Sequence, residues 1–104
     1  MQVIIDIHVH QSIEQFYKAA LHLHPTLDEA TVENKKERLY AALELIGQYP
    51  NLFPIARYKR TWRAAGYREM IAEDFHFGYK VYSDVDGTQY VIIHDAIHSL
   101  LYHN

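Results

Sequence analysis

At 104 residues the chain is large enough for one hydrophobic core and too short for two, so a single domain, 1–104, is expected. Its 49% hydrophobic and 22% charged residues suit an ordinary globular protein; no apolar run reaches the length of a membrane span and no basic leader precedes one, so a cytoplasmic protein is expected. Having no cysteine excludes disulfides and thiolate metal sites, and a formal net charge of -3 excludes a polybasic nucleic-acid binder, so any contact with nucleic acid must be local.

From Val3 to Val9 the residues alternate. Val3, Ile5, Ile7 and Val9 fall on one side and Ile4, Asp6, His8 and His10 on the other, which predicts a strand with one buried face. Ser12 and Gln15 stand at capping-box spacing, and Ile13, Phe16, Tyr17, Ala20 and Leu21 give the following helix one apolar stripe, ended by Pro25. Thr26 and Glu29 repeat that spacing for a second helix from Leu27 to Ile46, with Leu39, Leu43 and Ile46 inward and Glu33, Lys36, Glu37 and Arg38 outward. The connection between the helices is short, so an antiparallel hairpin is expected.

Gly47 and Pro50 close the helical part, and the segment to Ala65 reads as a long connection. Its end carries the positive charge of the chain. Arg57, Lys59, Arg60, Arg63 and Arg68 are five of the ten Lys and Arg residues, no carboxylate occurs between Glu44 and Glu69, and Tyr58, Trp62 and Tyr67 are interleaved with the cations. A polyanion or an acidic partner would dock there. The same composition also describes a solvated loop that packs its rings on the core and keeps its charges in water.

Tyr67 to Ala72 reads as a strand, and Phe75, Phe77, Tyr79 and Val81 as the apolar side of the next, with His76, Gly78 and Lys80 opposite. Asp86-Gly87 marks a tight turn, Gln89 to His94 the returning strand, and Ala96 to Asn104 a helical turn or an extended tail. The order is one strand, a helix hairpin and a three-stranded antiparallel meander. That is an α+β arrangement with the helices on one sheet face and the first strand at an edge or beside the last one.

The runs GYREMIAEDFHFGYKVY and YVIIHDAIH resemble the RelE/ParE superfamily of bacterial toxins, and the resemblance covers nearly the whole chain. Tyr67-Arg68 is similar to the first sheet motif of that family, Phe75 to Tyr79 to the second, and Val91 to His98 to the third. The resemblance implies a RelE/ParE toxin-like fold and the toxin half of a type II toxin–antitoxin system, held by a cognate antitoxin that covers its active groove. It implies one of two targets: ribosome-bound mRNA, cut by an endoribonuclease, or DNA gyrase. Arg68, His76, Tyr79, His98, Tyr102 and His103 match positions where the family carries its working groups. The chain departs from the pattern at His76, where a second Arg is expected, and in the tail SLLYHN, which has no basic cluster.

Cutting RNA at a 2′-hydroxyl requires a base, an acid for the leaving oxygen and a cation for the phosphorane, without a metal or other cofactor. His76 is the acid–base candidate, Arg68 the phosphate clamp, and His98 and Tyr102 further catalytic candidates. Arg57, Lys59, Arg60, Arg63 and Lys80 would hold the backbone while Trp62 or Tyr67 stacks a base. Two other readings stand beside this one. Asp6, His8 and His10 mimic a strand-borne His-x-His metal motif, to which His94 and His98 could add ligands in a small His-rich metal-binding protein. A non-catalytic interaction module of the same fold would serve antitoxin binding or homodimerisation through an exposed edge strand.

Overall fold

Asp6 decides where the first strand stops. Its carboxylate accepts the amide of His8 at 2.8 Å, which caps a helix and takes the chain out of the extended conformation. In the computed structural model, which describes residues 1–103, strand β1 therefore covers only Gln2–Ile5 and helix α1 covers Ile7–Leu23. The expected strand to Val9 is corrected for a definite reason: Val9 also begins the i, i+4 series Val9, Ile13, Tyr17, and that is the face α1 buries. Ser12 then lies inside the helix and donates to the carbonyl of His8 at 2.9 Å. Helix α2 (Glu29–Gln48) is capped two residues later than expected, by Asp28, whose carboxylate accepts the Thr31 amide at 2.7 Å. It buries Val32, Leu39, Leu43 and Ile46. The two helices run antiparallel, tied by Lys36 Nζ to Glu14 at 3.0 Å and by His10 Nδ1 with the Tyr40 hydroxyl at 2.7 Å.

The sheet is open, four-stranded and mixed, and the fold is α+β. Strands β2 (Arg68–Ala72), β3 (Phe75–Ser83) and β4 (Gln89–His98) pair antiparallel in sequence, and β1 lies parallel to β4 at the far edge. β4 runs four residues beyond the expected end at His94. Gly78 faces Asp95 while Tyr79 faces Ile93, so His94 is an extra residue, a β-bulge that resets the alternation. Strict period 2 after Val91 and Ile93 would send Asp95 into the core; the bulge sends Ala96 there instead. One sheet face packs on α1 and α2, with Met70, Phe75, Phe77, Tyr79, Val91 and Ile93 meeting Val9, Ile13, Tyr17, Val32, Leu39, Leu43 and Ile46.

The second face is not bare. Where the sequence reads as a long connection, Arg60–Ala65 forms a short helix, α3, closed by Gly66 at φ 75°. It lays Trp62, only 2% exposed, over Gly78. A Cβ at Gly78 would stand 3.0 Å from the rings of both Trp62 and Tyr67, so the close approach favours glycine. The helices are thus divided between the two faces, α1 and α2 on one and α3 on the other. Among the described residues no helix is long and apolar enough to cross a membrane.

Candidate functional site

Polar chemistry gathers on the face that α3 shares. Glu69 on β2 lies opposite Gly78, and His76 on β3 lies opposite Ile71, so the two side chains meet diagonally. Glu69 Oε2 is 2.9 Å from His76 Nδ1, and both side chains are 14% exposed. An ionised carboxylate can only accept, so it fixes the proton on Nδ1 and leaves Nε2 of the neutral ring as an acceptor. On that side stands Ser99 Oγ at 3.2 Å. Tyr102, in the turn after β4, stacks on the imidazole with centroids 3.8 Å apart and planes 4° apart, and its hydroxyl donates to Glu69 Oε1 at 2.8 Å. Burial, followed by that carboxylate, holds the Tyr102 phenol well above its ordinary pKa, so it stays a donor.

The cluster continues along the face. Trp62 Nε1 donates to Asp95 Oδ2 at 3.0 Å, and Asp95 Oδ1 meets His8 Nε2 at 3.0 Å and accepts the Ala96 amide at 2.9 Å. Beyond Gly78 a second aromatic group has His94 stacked on Tyr67, with centroids 4.9 Å apart, and bonded through Nε2 to the Tyr82 hydroxyl at 2.7 Å. The bulge makes both arrangements possible, because it turns His94 and Asp95 to the same side.

Of the residues read from the sequence as catalytic, His76 and Tyr102 are brought into contact and two are not. Arg68 pairs with Tyr79 and shares its phase, opposite to that of His76, and its guanidinium donates to the Phe53 carbonyl at 2.7 Å. The proposed clamp of Arg68 with His76 is corrected accordingly. His98 also lies in the helix-facing phase, stacked on Phe16 at 3.8 Å. Trp62 is too buried to stack a base. The metal reading fails on geometry: on a helix, His8 and His10 diverge by about 200°, and they bond separately to Asp95 and Tyr40. His94 and His98 occupy opposite faces, and no set of three potential ligands is grouped for a metal among the described residues.

The cations form a ridge. Arg57, Lys59, Arg60, Arg63 and Lys80 take part in none of the ion pairs among the described residues, whereas Lys36 and Arg38 are paired with carboxylates. Lys59 Nζ, within 3.4 Å of the His103 carbonyl, is the one that reaches the tail beside Tyr102. A groove of about 760 Å³ separates α1 from the end of β4 and is lined by Phe16, Ala19, Leu23, Ile97, Leu100 and Leu101, with Lys59 also in its wall. Glu69, Ser99 and Asp95 were not singled out from the sequence. Alternation with inward Met70 could have placed Glu69 opposite the core, but nothing local marks Ser99 or Asp95. Compared with known proteins, the chain matches no family model, no curated protein and no solved structure.

Proposed function

We propose that the chain is a small metal-independent endoribonuclease acting as the toxin of a toxin–antitoxin pair, with His76, Glu69 and Tyr102 as its working cluster. The observation that carries this reading is the contact of imidazole, carboxylate and phenol beside a ridge of cations without carboxylate partners. A strand, a helix hairpin, the short helix α3 and three antiparallel strands follow in order, and the RelE/ParE resemblance of the sequence supports the toxin reading beside them. With Arg68 on the other face, Lys59, whose Nζ reaches the tail beside Tyr102, takes its place as the cation offered to the phosphate. His76 Nε2 accepts the proton of a 2′-hydroxyl, and Glu69 offsets the imidazolium that forms. The oxygen attacks the adjacent phosphorus, a 2′,3′-cyclic phosphate forms, and the imidazolium returns the proton to the departing 5′-oxygen.

Single-stranded RNA incubated with the protein in a chelator is expected to yield fragments ending in cyclic phosphate, and expression alone to arrest bacterial growth. His76→Ala should lower the cleavage rate by about 100-fold or more without unfolding the chain. A second reading, an interaction module without catalysis, is favoured by the apolar groove, where Leu23 is 69% and Leu100 82% exposed. Intact RNA and unimpaired growth at verified folded expression would decide for that module.

A further inference from the structure

The hydrogen-bonded chain through His76 does not end at the imidazole. Glu69 Oε2 stands 2.9 Å from Nδ1, and Ser99 Oγ stands 3.2 Å from Nε2 on the far side. We propose that Ser99 is a nucleophile activated by His76 and Glu69, and that the chain hydrolyses carboxylic esters through an acyl-serine. This goes beyond the RNA reading and shares His76, Glu69 and the Tyr102 stack with it.

Three features point the same way. The carboxylate fixes the tautomer, so the free lone pair of Nε2 is directed at Ser99. The ring cannot easily turn away, because Tyr102 lies flat against it and both His76 and Glu69 are largely shielded from water. Ser99 itself is exposed and held in place: its amide and its hydroxyl both donate to the Asp74 carbonyl at 2.8 Å. That carbonyl is presented by the two-residue turn between β2 and β3, in which Glu73 and Asp74 adopt φ 48° and 66°, as a tight hairpin requires.

The hydroxyl has one proton and two acceptors. At rest the nearer is the Asp74 carbonyl; a turn about the Cβ–Oγ bond of Ser99 aims the proton at Nε2 with Oγ left in place. Contacts between a nucleophile and its base are commonly long before substrate binds. Oγ then attacks the ester carbonyl carbon while its proton passes to Nε2, and Glu69 offsets the imidazolium charge. The ester C–O bond breaks and the imidazolium protonates the departing alcohol. Water, deprotonated by the same nitrogen, cleaves the acyl-serine to release the acid and restore Ser99. Leu100 and Leu101 follow Ser99 and line the apolar groove, so the class of substrate that fits is an ester with an apolar acyl group.

An alkyl fluorophosphonate tests this directly, since an Oγ–P bond forms as fluoride leaves. The wild-type chain should be labelled, peptide mass mapping should place the adduct on Ser99, and Ser99→Ala should take up no label. A second measurement leaves His76 intact. The chain has no cysteine, so Ser99→Cys supplies a single thiol. Near neutral pH it should react with iodoacetamide about tenfold faster than the same variant carrying Glu69→Gln, because an activated thiol is more fully ionised. An unlabelled wild-type Ser99, or equal alkylation rates in the two variants, overturns the proposal. RNA cleavage by the wild-type chain is scored separately: labelling without cleavage sinks only the RNA reading, and cleavage without labelling sinks only this one.

Discussion

His98 is held between two aromatic rings, flat against Phe16 and edge-on to Phe75, and its Nδ1 accepts the Leu100 amide at 3.1 Å. Burial lowers its pKa; Asp74 opposes that shift, and His76 and Lys35 reinforce it. His94 is lowered as well, again by burial first. The unfolded chain would bind protons at these rings near the ordinary value of 6.5, and the folded chain only at lower pH. Their contribution to stability is therefore complete above 6.5 and is lost as pH falls through the lowered folded values. The urea midpoint should drop as the solution is acidified through that window. His98→Phe, which keeps the stack and cannot be protonated, should flatten the drop; an unaltered pH profile in that variant would refute the assignment. At this scale the sequence marked His76 and Tyr102 as chemically able residues. It did not mark Glu69 or Ser99, because what qualifies them is a neighbour seven or twenty-three positions away.

Single elements owe their limits to competition between local signals. The Val3 to Val9 alternation lost to a better cap at Asp6 and to the four-residue spacing of Val9, Ile13 and Tyr17. The segment containing α3 carries no helical period, since one large side chain anchors it rather than a stripe. That anchor makes Gly78 the sensitive position on the second face. Gly78→Ala pushes a methyl group against Trp62 and Tyr67 and should cost about 1–3 kcal/mol of stability by overpacking. Urea denaturation measures it, and a variant as stable as the wild type would mean that α3 lifts away freely. The bulge in β4 follows the same logic: a carboxylate at the inward phase forced the chain to skip a residue, and the skip brought Asp95 to Trp62 and His8.

Across the whole molecule, charge is separated by location. Glu14, Glu33, Glu37 and Glu44 line the cleft of the helix hairpin together with Lys36, while Arg57, Lys59, Arg60 and Arg63, none of them in an ion pair among the described residues, lie in or just before α3. If the ridge carries RNA, each phosphate contact releases counterions and steepens the salt dependence. Replacing Arg57, Arg60 and Arg63 together with Gln should lower the log–log slope of single-stranded RNA binding against salt by about 2. Fluorescence anisotropy would show it, and an unchanged slope would mean that the ridge touches no phosphate. The sequence by itself determined the α+β class, the helix hairpin, the three strands after it and the inward faces of α2 and β3, because those follow from the period of apolar residues along the chain. Only the tertiary structure decided that Arg68 and His76 face apart, that Trp62 is an anchor and that Glu69, His76, Ser99 and Tyr102 converge. Convergence depends on strand register, a bulge and a cap, and each of these is settled by partners distant in sequence.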